Sequence, residues 1–240
     1  MDTGIFVALI NPGIAISFAG AFLLLWNYQR HKRYILLTAL SLVAGAIGFL
    51  IQYLSIETFA LSRLLSNLLF VFAGVGMAVS LLARYKRALS LTTVLALVGG
   101  GVGLFVWFLY VTPHTAARVY TINFTFGLLT LMVAAQLRAV PSRRAIDNVM
   151  LVVTAFWGLS YFIRPLVVLW IEGVPIEDSS YHQSLYWYTL TLFSAMFILL
   201  ISLAWIGVLV LDIMDDLGRQ SRTDLLSGLL NRRGFEESVT

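Results

Sequence analysis

The sequence predicts an all-α membrane protein, a bundle of seven transmembrane helices. Composition is the first reason: of 240 residues, 60% are hydrophobic and 12% are charged, where a soluble domain carries about 25% charge. Mean hydropathy of +0.89 is the second. The third is the succession of seven apolar stretches, each with the ~20 residues needed to cross ~30 Å of hydrocarbon. Inside a bilayer every backbone amide must pair within its own segment, so spans of this length are helices. Barrel strands would be half as long and would alternate.

The first stretch, Ile5 to Asn27, has no basic residue ahead of it, and Asn11-Pro12 interrupts it before an apolar run ending at Trp26. It therefore predicts a permanent helix and not a cleavable signal peptide. The second and third are Ile35 to Ile56 and Ala60 to Ala83; Gly45, Gly48, Gly74 and Gly76 mark places for close helix approach. In the fourth, Leu89 to Val111, the Gly99 to Gly103 cluster predicts a bend or a helix crossing, and nothing after it resembles a phosphate-binding loop. The fifth and sixth are Ala117 to Leu137 and Asn148 to Ile171, with Pro165 expected to weaken or kink the sixth. The seventh is Leu185 to Leu211. Beyond it Val210, Ile213, Leu217 and Gln220 step by three and four among Asp212, Asp215, Asp216 and Arg219, so the last span is expected to continue as a helical stalk.

Basic residues set the orientation. Arg30, Lys32 and Arg33 follow span one; Arg84, Lys86 and Arg87 span three; Arg138, Arg143 and Arg144 span five; Arg219, Arg222, Arg232 and Arg233 span seven. The alternate connections are acidic or neutral, with Asp2, Glu57, Glu172, Glu177 and Asp178. This predicts an N-terminus outside and a cytoplasmic C-terminus. The pI near 9.5 then reflects clusters facing anionic lipid and not nucleic acid. With no cysteine, disulfides and thiolate sites are excluded.

Residues 224–240 read DLLSGLLNRRGFEESVT. Asp224, Leu226, Gly228, Leu229, Asn231, Arg232 and Arg233 match in register the entry motif of the GGDEF family, the diguanylate cyclases, with Ser227 where Thr is usual. On these residues the chain resembles the membrane-associated sensory domain of a GGDEF-type diguanylate cyclase followed by the cyclase's first residues. The resemblance divides it into a sensory domain, 1–211, a stalk, 212–223, and the cyclase start, 224–240. It implies condensation of two GTP with Mg2+ to cyclic di-GMP in the parent protein, a homodimer in which two cyclase domains face each other, and residence in the bacterial inner membrane. The chain stops before the Gly-Gly-Asp/Glu-Glu-Phe signature, so it is expected to be inactive by itself, with no catalytic residue and no cofactor. Ile213 and Leu217, with Asp224, Gly228 and Asn231 at the junction, are the candidate signal-transmission residues.

Three arginines break the charge pattern. Arg63, Arg118 and Arg164 fall at or inside the outer ends of spans three, five and six, Arg63 ~5 Å and Arg164 ~10 Å below the boundary. An arginine within a span costs about 2.5–3.5 kcal/mol on insertion scales, and it faces the bundle interior, water or a partner. Helical spacing puts Asn67 and Phe70 with Arg63, Thr121 and Thr125 with Arg118, and Trp157 and Tyr161 with Arg164. If these faces converge, Arg63, Asn67, Arg118, Thr121, Trp157, Tyr161 and Arg164 form an outward, cationic, aromatic-walled site for a small anionic or lipidic ligand. The competing expectations are snorkelling to the interface by Arg63 and Arg118 and ion pairs with Glu57 or Glu172.

His114 and His182 lie in outer loops, too few ligands for a metal site, and His31 is in a basic loop. Span seven has no lysine for a retinal Schiff base. The expected function is a sensory, dimerising module regulating a C-terminal diguanylate cyclase. A transporter- or channel-like bundle and a scaffold carrying a degenerate cyclase are the alternatives.

Overall fold

The structure, a computed structural model, describes residues 3–54, 58–141, 143–172 and 183–222. Within them every regular element is a helix: α1 (Thr3–Tyr28), α2 (Arg33–Leu54), α3 (Phe59–Arg84), α4 (Leu91–Val106), α5 (Thr115–Arg138), α6 (Ala145–Glu172) and α7 (Leu185–Arg222). Seven segments are long and apolar enough to cross a membrane, the layout of a multi-pass membrane protein.

Both prolines that fall within spans are carried inside unbroken helices, Pro12 in α1 and Pro165 in α6. At Pro12 the neighbouring Asn11 is buried and donates its amide to the Thr191 carbonyl of α7 at 3.1 Å, so the weak point of one helix is tied to another. The fourth span does not finish as an α-helix. Residues Trp107–Val111 form a π-helical turn, and the ladder ends just beyond it, where Pro113 has no N–H to extend it. The Thr112 amide reaches back to the Trp107 carbonyl at 3.0 Å and the His114 amide to Phe108 at 3.1 Å.

Six helices close a ring: α1 packs on α2, α2 on α3, α3 on α5, α5 on α6, α6 on α7, and α7 returns to α1. Helix α4 stands outside, docked mainly on α5. Only 17% of its apolar window is buried inside the protein, against 44% for α5. The main core, with Phe22, Ile35, Met150, Ile201, Trp205 and Val208 fully or almost fully buried, fills the ring towards the end where α1, α3, α5 and α7 finish.

The glycine cluster of α4 supplies a helix crossing at one of its positions. Gly99, Gly100 and Gly103 face open space, and only Gly101 packs closely, against Thr125 of α5. Other tight crossings lie within the ring. A Cβ on Gly48 would lie 2.7 Å from Phe70, and one on Gly158 would lie 2.8 Å from the Leu131 side chain and 3.2 Å from its backbone nitrogen. Gly158→Ala is therefore expected to destabilise the bundle by about 1–3 kcal/mol through overpacking. Gly100→Ala, gaining helix propensity in open space, should leave stability equal or up to about 1 kcal/mol higher. Unfolding of the two variants by SDS titration in mixed micelles separates them.

Candidate functional site

The ring encloses a cavity of about 190 Å³. Its wall takes Gln52 from α2, Arg63 and Asn67 from α3, Arg118 and Asn123 from α5, Trp157 and Tyr161 from α6, and Tyr186 from α7. These positions lie near the start of α3, α5 and α7 and the end of α2, which places them at one end of the antiparallel ring. The rest of the lining is mostly apolar, with Leu42, Met77, Leu129, Val133 and Ile198 among it. Ser41 and Thr154 also line it, but their hydroxyls donate to their own helices, at the Leu37 and Met150 carbonyls, both at 2.7 Å.

Of the seven ligand-site residues expected from the sequence, the fold brings Arg63, Asn67, Arg118, Trp157 and Tyr161 to this one cavity. Thr121 is outside it; half-buried, its carbonyl accepts the Thr125 hydroxyl at 2.8 Å. Arg164 is also behind the wall. Its guanidinium donates to Asn123 Oδ1 at 2.6 Å and lies 4.7 Å from the ring centroid of Tyr186. Asn123 in turn donates to the Val119 carbonyl at 2.7 Å and to Tyr186 Oη at 2.9 Å. Arg164 thus positions two wall residues and does not meet the cavity itself.

The arginines do not snorkel. Arg63, Arg118 and Arg164 are 5%, 6% and 6% exposed, inside the protein. Arg63 Nη1 donates to the Gln52 carbonyl at 3.3 Å, one of the last α2 carbonyls, which have no partner within the helix. Arg118 Nη2 donates to Thr115 Oγ1 at 2.7 Å. Glu172, one expected ion-pair partner, instead accepts the first amides of α7, Leu185 at 2.8 Å and Tyr186 at 3.4 Å, where a carboxylate meets the positive end of the helix. Glu57 and His182 lie outside the described residues. His114 caps α5 by accepting the Ala117 amide at Nδ1.

Aromatic contacts stiffen the wall. Trp157 stacks on Phe197 of α7 with centroids 5.6 Å apart and on Tyr161 at 6.2 Å, while Tyr161 meets Phe126 of α5 at 5.7 Å. Such pairs add about 0.5–1.5 kcal/mol beyond their buried area.

No protein-family model, curated protein or solved structure matches the chain.

The opposite end of the ring holds a charge cluster that sequence reading missed. Arg84, closing α3, grips Asp212 of α7 with two hydrogen bonds of 2.9 Å and reaches Asp147 of α6 at 3.0 Å. Arg144 bonds to Asp212 and, at 2.9 Å, to Asp215. Lys32, between α1 and α2, meets Asp216 at 3.0 Å. Tyr85 donates to Asp147 at 2.8 Å. Burial pushes its phenol well above the ordinary range against the lowering effect of Arg84, and the Asp147 bond adds to the rise, so it remains a neutral donor. The available signal was the run of three aspartates beside span seven, opposite basic loops on spans one, three and five.

Of the expected signal-transmission residues, Ile213 is half-buried and Leu217 is 59% exposed. Asp224, Gly228 and Asn231 lie outside the described residues.

Two measurements follow from this geometry. A double-mutant cycle with Arg164→Ala and Asn123→Ala should give a coupling of about 0.5–3 kcal/mol in unfolding free energy; strict additivity would detach Arg164 from the wall. Asp212→Asn should cost roughly 1–3 kcal/mol by leaving two arginines short of a charged acceptor, read in the same unfolding assay.

Proposed function

We propose that the chain is a sensory and dimerising membrane module that regulates a C-terminal diguanylate cyclase, with its N-terminus outside and its C-terminus cytoplasmic in a bacterial inner membrane. One observation carries the reading: a single helix both lines the cavity and leads to the output. Helix α7 contributes Tyr186, Leu190, Ser194 and Ile198 to the cavity wall and runs without a break from Leu185 to Arg222. The segment that resembles a cyclase entry begins at Asp224.

The segregation of basic residues supports the orientation, since a cyclase must sit where GTP and Mg2+ are. A ligand works on such a device only through different affinities for two arrangements of the ring. Helix α7 is the element on which both ends act. Tyr186 is held by Arg164 and Asn123 at one end, and Asp212, Asp215 and Asp216 are held by arginine and lysine at the other. A change in the wall therefore alters the strain on a clamp at the base of the stalk. In a homodimer, the angle and register of paired stalks would decide whether two GTP-bearing domains meet.

A complete version carrying the cyclase domain, reconstituted in liposomes with Mg-GTP, is expected to form cyclic di-GMP. Absence of product under all conditions would defeat the enzyme assignment. Register supplies a second check. Inserting one residue after Leu217 rotates everything downstream by ~100° and should change product formation severalfold in either direction. A seven-residue insertion, close to two full turns, should change it least.

A further inference from the structure

Resting on the sensory reading, we propose that the cavity takes a single-chain amphiphile with an anionic head, a long-chain carboxylate or a one-chain phospholipid, its head at Arg63 and Arg118 and its tail along the ring axis. The length argues for a chain. The lining runs from Arg63 to Leu81 along α3 and from Thr115 to Val133 along α5, ~27 Å at about 1.5 Å of rise per residue, the reach of an extended acyl chain and not of a compact anion.

The chemistry grades in the same direction. At one end two buried arginines on adjacent helices, with Gln52, Asn67 and Asn123 beside them, line the cavity. Guanidinium is the side chain whose forked donors match a planar carboxylate or a phosphate. Beyond Phe70 and Phe126 the lining becomes mostly apolar, with Met77, Leu81, Leu129 and Val133; of the hydroxyl residues there, Ser41 and Thr154 are turned to their own carbonyls, and Thr130 and Ser194 complete the wall. A compact polar anion would fill only the first part of this space and leave the apolar remainder empty. Met77 is the adaptable side chain at such a wall. A membrane-borne amphiphile also needs no aqueous transit to reach a bundle embedded in its own solvent.

The test uses the purified full chain in neutral maltoside micelles with hexadecanoate carrying a photoreactive diazirine near its methyl end. Cross-links are expected at Met77, Leu129 or Val133, saturable, and displaced by unlabelled hexadecanoate at least about tenfold more effectively than by hexadecanol. One-chain lysophosphatidate should compete like the acid if the source is a membrane lipid; inorganic phosphate should not compete. Arg63→Gln/Arg118→Gln should erase the preference for the acid over the alcohol. Thr130→Trp, on the lining of α5, should block labelling by both, with a thermal melt confirming that the variant is folded. Cross-links confined to lipid-facing positions such as Leu24, Leu95 or Phe156, or equal competition by hexadecanol, would overturn the assignment. Interior labelling without any change in cyclic di-GMP formation by the complete protein would retain the ligand and reject the sensor. Regulated product formation without interior labelling would do the reverse.

Discussion

Closure of the ring by α1 against α7 is the contact on which the rest of the molecule depends. In hydrocarbon there is no hydrophobic gain in bringing two apolar helices together, so association rests on close packing and on hydrogen bonds between helices. The closing seam has both. Asn11 bonds to the Thr191 carbonyl, and Phe22 and Trp205 share one buried cluster with Ile201 and Val208. Without that seam α7 would be an edge helix, and the space inside would be a groove open to lipid.

The two ends of the ring use charge in different ways. At this end Arg84, Arg144 and Lys32 meet Asp147, Asp212, Asp215 and Asp216, so opposite charges fix the last turns of α7 to three other parts of the chain. At the cavity end, Arg63, Arg118 and Arg164 are spread over three helices and are bonded to carbonyl, hydroxyl and carboxamide oxygens. The first arrangement joins α7 to three other parts of the chain by opposite charges; the second sets guanidinium groups at and behind the wall of a hollow.

The spans were legible because lipid leaves so little choice. An apolar run of the right length has to be a helix, and charge tolerance marks its ends within a few residues. The companions of Arg63 were legible too, since Asn67 stands one turn away on the same helix. Thr121 was not, because helical spacing assigns a residue to a face without saying which neighbour that face will meet. The same gap hid Asn123 and Tyr186, which become significant only when α5, α6 and α7 bring them together around Arg164. The glycines of α4 were legible only in part for a related reason: small residues permit a crossing without saying which of them makes it, and with α4 outside the ring only Gly101 meets α5. The motif at Asp224 to Arg233 is the part of the functional reading that came from the sequence alone.

The outer position of α4 has a further consequence. With that helix set aside, the barrel-like wall consists of two triplets, α1 to α3 and α5 to α7, each made of consecutive neighbours and meeting the other chiefly along two non-sequential joins. Helix α4 covers the α3–α5 join from outside, like a strap on a book's spine. The α1–α7 join has no such cover, so its integrity falls on the Asn11–Thr191 hydrogen bond and the packing of Phe22 and Trp205.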